Sequence, residues 1–334
     1  MLSSRPFSAV ALDGGTTNTR ARLIRDGRIV ATARRAVGVR DSILSDHGNP
    51  LASAVRASIE EVLGTAQNGR PDLIVAAGML SSEIGLAFVP HVAAPAGIDE
   101  LAAGMRLLDL PQVCDQPIAI VPGIRSPAGP GPDGWMAADV MRGEECETVG
   151  AWRALRQCRG EESAFLWPGS HTKLVGVDAR GVIVGSHTTL AGELTVALAR
   201  HTLLAASLPA ELPNEPDAES LAAGARIVGR EGLGRAAFLV RIAAITQSMS
   251  AHQRASFWIG AVVAEDANWL ARHPIVADDR PLWVGGRQPQ RSLYAKWLGE
   301  LRRGPVVALD DDLAEHVSAL GALAVALHRR ARVT

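Results

Sequence analysis

The chain has 334 residues, 47 % of them hydrophobic and 21 % charged, with a formal net charge of −1. Single cores stop growing at about 250–300 residues, so this length points to two lobes of a soluble globular protein. A balanced charge leaves no electrostatic footprint for nucleic acid or an anionic membrane and points to small-molecule partners.

In chain order, FSAVAL (7–12) reads as a first strand, because its apolar run passes into Asp13 and a Gly pair rather than a leader's cleavage site. ARLIR (21–25), the Asp26-Gly27 turn and RIVATARRAV (28–37) continue an antiparallel opening. LASAVRASIEEVLGTA (51–66) carries Leu51, Val55, Ile59, Val62 and Leu63 on one helical stripe. A strand over 71–79, a helix over 98–110 and a strand over 116–123 then alternate as in parallel α/β units. SPAGPGPDGW (126–135) is a Pro- and Gly-rich loop, and Asp139 opens a predicted helix over 139–158.

The second half restarts with the same device: SAFLW (163–167), the turn PGSHT (168–172), KLVGV (173–177), the tight turn DARG (178–181) and VIVGS (182–186). Domain limits of 1–160 and 161–334 follow. Helical segments are expected over 191–208, 217–253 and 257–270, then strand 281–286, helix 292–303, strand 304–310 and a final helix over 312–330. No apolar run approaches the ~18 residues of a spanning helix. Three cysteines, Cys114, Cys146 and Cys158, without a C-x-x-C pair fit a reducing cytoplasm.

A turn of Gly and Thr between two strands can aim backbone N–H groups and hydroxyls at one point, a concave anion site. In ALDGGTTNTRARLI (11–24), Gly15, Thr16, Thr17 and Asn18 form such a turn. A carboxylate beside phosphate makes sense if Asp13 holds Mg²⁺, through water, and this points to a nucleotide. Arg20 adds a fixed positive charge. The alternative is an ordinary hairpin with Gly14 and Gly15 at positive φ. The echo in Gly169, Ser170, His171 and Thr172, followed by Lys173, one of two lysines beside 32 arginines, favours two phosphate hairpins. Neither a P-loop nor a dinucleotide fingerprint occurs, and the nine histidines show no zinc-enzyme spacing.

VPGIR (121–125), DVMRGEE (139–145), WPGSHTKLV (167–175) and LAGELTVALARHTLL (190–204) resemble the 2-dehydro-3-deoxygalactonokinase family of actin-like sugar kinases over nearly the full chain. The resemblance implies an α/β fold of two actin-like lobes, duplicated ribonuclease H-like domains with a central nucleotide cleft. It also implies Mg²⁺-dependent transfer of the ATP γ-phosphoryl group to the terminal hydroxyl of a 2-keto-3-deoxy sugar acid in the cytoplasm. On that basis Asp139 is the expected catalytic base, with an N-cap role as its structural alternative. Gly285 and Gly286 match the adenosine site. Ser82, Arg125, Arg142 and Glu144 are the candidate substrate contacts, while Glu144 and Glu145 either orient substrate or hold Mg²⁺. Two departures stand out: Gly14 where the family has Trp, and GMLSSEIGL (78–86), with Glu83 for a basic residue and Leu86 for Trp. They leave open a kinase for another sugar or sugar acid, or a nucleotide-dependent sensor. The oligomeric state, a homodimer included, also stays open.

Overall fold

The computed structural model describes residues 7–44, 49–64, 69–276 and 279–333. Residues 65 and 66 of the helix expected over 51–66 lie outside these, as do residues 1–6. The chain divides into two compact units, one of Met1–Glu161, Asp178–Gly185 and Glu315–Thr334, the other of Glu162–Val177 and Ser186–Ala314.

The first unit opens with three antiparallel strands, Ser8–Gly14 (β1), Thr19–Arg25 (β2) and Arg28–Arg35 (β3), the first two buried along most of their length and β3 alternating between exposed and covered residues. Asp26 and Gly27 join the last two with φ of 46° and 78°, the paired left-handed residues of a tight hairpin. Helices Val39–Leu44 (α1) and Pro50–Gly64 (α2) follow, and α2 buries Leu51, Val55, Ile59 and Val62 on the predicted stripe. The unit continues with Leu73–Gly78 (β4), Val92–Ala93 (β5), Ile98–Gly104 (α3), Arg106–Leu108 (β6), Ile118–Ile120 (β7), Ile124–Ser126 (β8), Asp139–Met141 (β9) and Glu144–Ala154 (α4).

Two expectations are corrected here. The helix expected over 98–110 ends at Gly104, Met105 leaves helical geometry with ψ 146°, and β6 pairs antiparallel with β7. The helix expected from Asp139 begins only at Glu144, because Asp139–Met141 is drawn into a strand against β8, with Asp139 opposite Ser126. Gly143, at φ 126°, makes the break that a side chain would resist. Asp139 is therefore a strand residue, not a helix cap.

Later elements are Ser163–Trp167 (β10), Thr172–Val177 (β11), Ile183–Thr189 (β12), Ala191–His201 (α5), Ala218–Ile245 (α6), Ala251–Leu270 (α7), Leu282–Val284 (β13), Gln290–Leu301 (α8), Val306–Ala308 (β14) and Asp311–Val333 (α9). The segment expected as one helix over 217–253 is broken: Gln247 takes φ 53°, and Ser250 caps α7. The Gln253 backbone N–H donates to Ser250 Oγ at 3.2 Å while Ser250 N–H donates to Gln253 Oε1 at 2.9 Å, a capping box.

The first sheet runs β3-β2-β1-β4-β7-β6 and the second β12-β11-β10-β13-β14. In each, the opening strand pairs antiparallel with its hairpin partner on one side and parallel with the next strand on the other. The duplication read from sequence thus extends to strand order. A small third sheet, β5-β8-β9, carries Arg125 and Asp139. The first core gathers Val10, Leu12, Leu23, Val55, Ile59, Ile74 and Ile118; the second gathers Leu166, Leu174, Ile259, Val263, Leu282 and Leu298. Among the described residues no helix is long and apolar enough to cross a membrane.

Candidate active site

The turn between β1 and β2 is closed by Gly15 N–H donating to Asn18 O at 2.8 Å. Its outer side is braced by α1, where Val39 N–H donates to Gly15 O at 3.2 Å and Arg40 N–H to Thr16 O at 3.1 Å. Thr16 and Thr17 are exposed, and Asn18 Nδ2 donates to Thr17 Oγ1 at 2.8 Å. Neither Gly14 nor Gly15 takes a positive φ; a Cβ on Gly14 would collide with Leu80 at 2.5 Å, whereas one on Gly15 would lie 3.7 Å from its nearest neighbour, Asn18 O. This differs from the ordinary-hairpin alternative.

Asp13 ends β1 opposite Arg20, whose Nη1 lies 3.9 Å from Asp13 Oδ2. Burial raises the Asp13 pKa above the usual carboxylate value, and Glu315 adds to the rise, while Arg20, Arg22 and a hydrogen bond from Ser318 oppose it. The side chain is still 25 % exposed, so it is desolvated without being sealed off. Behind it the fully buried Arg22 donates from Nη2 to both Glu315 O and Glu315 Oε1 at 2.7 Å.

The N-terminus of α4 reaches the same edge of the sheet. Gly78, which ends β4 at φ 71°, leaves no room for a side chain: a Cβ would lie 2.6 Å from Gly14 O and 3.2 Å from Asp13 Oδ1. A Cβ on Gly143 would in turn lie 3.4 Å from Gly78 Cα. These glycines let α4 begin beside the carboxyl ends of β1 and β4, where open α/β sheets commonly place their ligands. Glu144 Oε2 accepts from Arg142 N–H at 3.2 Å and Glu145 Oε2 from Gly143 N–H at 2.7 Å. Burial, then repulsion from Glu144, pushes the Glu145 carboxyl up to about 7. Burial and the charges of Glu144 and Asp13 drive Glu147 upward as well.

Arg142 is turned to the segment after β4. Its Nη1 donates to Ser81 O at 2.6 Å and Ser81 Oγ at 2.5 Å, and its Nη2 to Val89 O at 3.1 Å. Arg142 Nη2 also donates to His91 Nδ1 at 3.2 Å, which makes that ring nitrogen the acceptor. Burial, then the charges of Arg142 and Arg125, lower the His91 pKa to about 4, so the ring is neutral near pH 7. Burial also lowers the Arg142 pKa, opposed by the carboxylates Glu145 and Glu83. Glu83 is thus a counter-charge to Arg142. Ser82 is buried, and its Oγ donates to Met79 O at 2.7 Å. Arg125, on β8, is exposed and sits opposite Val140 of β9, one position along from the Ser126–Asp139 pair.

In the second unit, Pro168–His171 forms the turn between β10 and β11, and Gly169, Ser170 and His171 are exposed. The start of α5 braces it: Glu193 N–H donates to Ser170 O at 2.8 Å, and His171 Nε2 lies 3.2 Å from Glu193 Oε2. A Cβ on Gly192 would fall 1.9 Å from Gly169 O, so only glycine lets the helix meet the turn. Thr172 and Lys173 point inward; Thr172 Oγ1 lies 3.2 Å from Tyr294 Oη, and Lys173 Nζ donates to Thr188 Oγ1. Gly285 and Gly286 lie against the same hairpin. A Cβ on Gly285 would meet the Trp167 ring at 2.0 Å, and one on Gly286, at φ 77°, would meet Pro168 O at 2.6 Å.

The structure therefore gathers Asp13, Gly15, Thr16, Thr17, Asn18 and Arg20 at one turn and Gly169, Ser170, His171, Gly285 and Gly286 at the other. Sequence reading missed His91, Glu147, Glu315 and Ser318. The last two lie some 300 residues from Asp13, and nothing in their spacing marks them.

Two hairpin-led sheets that share the order of five strands, the first carrying a sixth at its edge, define an actin-like fold, shared by ATPases and sugar kinases. The solved Clostridium difficile activator of 2-hydroxyisocaproyl-CoA dehydratase, with bound ADPNP, matches with a TM-score of 0.53 at 12 % identity, over 98 % of this chain and 97 % of that one. A crystal structure of a candidate 2-dehydro-3-deoxygalactonokinase from Sinorhizobium meliloti matches with a TM-score of 0.74 at 23 % identity, over 96 % and 98 %. The 2-dehydro-3-deoxygalactonokinase of Escherichia coli (strain K12) is 28 % identical over 271 residues, 78 % of this chain and 81 % of that protein. The sequence model of the 2-keto-3-deoxy-galactonokinase family matches residues 13–320, and the chain belongs to that family of carbohydrate kinases.

Proposed function

We propose that the protein transfers the γ-phosphoryl group of ATP to the terminal hydroxyl of 2-dehydro-3-deoxy-D-galactonate, giving the 6-phosphate and ADP in cytoplasmic sugar-acid catabolism. The observation that carries this reading is the family match over residues 13–320, which includes both hairpins and the Asp139–Glu145 motif. The name of the E. coli relative and the ADPNP in the C. difficile structure support the sugar acid and the nucleotide.

Phosphoryl transfer needs alignment, charge neutralisation and a base for the attacking hydroxyl. Asp139 takes the proton of that hydroxyl as its oxygen bonds to the γ-phosphorus and the bond to the ADP oxygen breaks. Gly15, Thr16, Thr17 and Asn18 of the first hairpin serve the phosphates, as do Gly169, Ser170 and His171 of the second, with Thr172 and Lys173 buried behind them. Gly285 and Gly286 present bare backbone to the nucleoside, and Arg20 offsets phosphate charge. Arg125 clasps the sugar-acid carboxylate, while Ser82, Arg142 and Glu144 shape the ground around it.

Asp13 fits a Mg²⁺ site of the kind these kinases imply: a partly exposed carboxylate whose proton affinity burial has raised is relieved by a nearby cation. Among the described residues no three His, Cys, Asp or Glu side chains gather as ligands, and Asp13 is the residue that would hold the ion, through water. The ion supplies charge neutralisation on the nucleotide. The test is a coupled ADP-release assay over a panel of 2-keto-3-deoxy acids, aldonates and hexoses. Turnover confined to a 2-keto-3-deoxy acid supports the reading, and turnover with hexoses alone refutes it.

A further inference from the structure

Beneath the second hairpin lies a polar cluster in an otherwise apolar layer. Tyr294 of α8 is 2 % exposed, Thr172 of β11 1 % and Asp266 of α7 8 %. Tyr294 Oη donates to Asp266 Oδ2 at 2.5 Å. A phenol has one proton. With it committed to Asp266, the Tyr294 oxygen is left as an acceptor, so in its 3.2 Å contact with Thr172 the threonine hydroxyl is the donor. The relay runs in one direction, from Thr172 through Tyr294 to Asp266, and the Thr172 proton faces away from the turn.

A buried carboxylate is a poor stability device, because apolar residues of similar volume hold a core at least as well. Its use is to specify geometry. Three elements, β11, α7 and α8, meet at this cluster, under the residue that starts β11. On the opposite side of the same turn, Glu193 N–H holds Ser170 O at 2.8 Å. The exposed turn Gly169–His171 is thus pinned from within and from without.

We propose that Asp266 is a positioning residue for the second phosphate hairpin. It acts through Tyr294 on Thr172, which is the hairpin's inner anchor, while Gly169, Ser170 and His171 alone face the nucleotide. This rests on the kinase reading above. Preorganised donors cost no rearrangement when charge arrives, so loosening the anchor weakens the nucleotide and the transfer step, not sugar-acid binding.

The variants are Tyr294→Phe, Thr172→Val, Thr172→Ser and Asp266→Asn, each examined by calorimetric titration with Mg·ATP and by steady-state kinetics. Tyr294→Phe and Thr172→Val each weaken Mg·ATP binding about three- to tenfold, the range of one lost hydrogen bond, with the sugar-acid KM within about twofold of wild type. Thr172→Ser, which keeps the hydroxyl, restores binding. The double variant Tyr294→Phe with Thr172→Val is no weaker than either alone, because both cut one relay. Unchanged nucleotide binding in Thr172→Val, or equal losses for nucleotide and sugar acid, overturns the proposal even if Asp266→Asn fails to fold. If wild type itself binds no Mg·ATP, the kinase reading has failed instead. The anchor is then judged by amide exchange over residues 169–172, which Tyr294→Phe accelerates if the proposal holds and leaves unchanged if it does not.

Discussion

Leu80 fills the space that a side chain on Gly14 would need: a Cβ built there lies 2.5 Å from both Leu80 Cδ2 and Leu80 Cγ. Both residues are buried, and Gly14 follows Asp13 directly in the chain. The bare position at residue 14 is thus filled by its neighbour's side chain. Gly14→Ala is expected to destabilise the fold by about 1–3 kcal/mol through overpacking. Combined with Leu80→Ala, it should cost at least about 1 kcal/mol less than the sum of the two single changes. Urea unfolding midpoints of the four proteins measure this, and additive losses would show that the two side chains do not compete.

Glu145 gives a pH prediction. Its folded pKa, about 7, lies above the ordinary 4.5 because of burial first and Glu144 second. For an acid raised on folding, the stabilising contribution is complete below the unfolded pKa and is lost as pH rises through the folded one. The swing is about 3 kcal/mol. Glu145→Gln removes this titration, so the variant gains on wild type between about pH 4.5 and about pH 7 and the difference levels off above. Denaturant midpoints across that range test it, and a pH-independent difference contradicts it.

The two arginines of the small-sheet region should behave differently. Arg142 is held by Ser81, Val89 and His91, so Arg142→Ala is expected to cost about 2–4 kcal/mol of stability. Arg125 is exposed, and Arg125→Ala should leave the melting temperature nearly unchanged. If it clasps the substrate carboxylate, its removal raises the sugar-acid KM about tenfold or more, with the ATP KM unmoved. Calorimetry and kinetics on the two variants read both effects; an Arg125→Ala enzyme with normal sugar-acid KM removes that role.

What the sequence made legible follows from where the information lies. The hairpin units were readable because short apolar runs followed by Gly-rich turns are local signals, as in 8–15 and 163–169. The break at Gly104 and the β9 strand were not, because each is decided by pairing with a short neighbouring strand, β7 or β8, rather than by its own residue pattern. Ser250-x-x-Gln253 is a local helix-start signal inside the stretch read as one helix over 217–253. At the candidate site the turn residues were visible, whereas Ser318, Glu315 and His91 reach it only through tertiary packing. Arg142 and Thr172 were found by type, yet their hydrogen bonds show them turned toward their own unit.

Asp139 lies on a strand beside Ser126, so its proposed role as base is separable from helix capping. Asp139→Asn is expected to lower turnover at least about a hundredfold with Mg·ATP affinity unchanged. Because no helix cap is lost, the melting temperature should move little. Near-normal turnover in a stopped ADP-release assay would remove Asp139 from the mechanism.

The most direct measurement incubates the wild-type protein with Mg·ATP and 2-dehydro-3-deoxy-D-galactonate and follows the product by ³¹P NMR. The account predicts one new phosphomonoester, coupled to the two protons of the terminal carbon and formed in step with ADP. No ester in the presence of bound nucleotide, or phosphate on another position of the sugar acid, would contradict it.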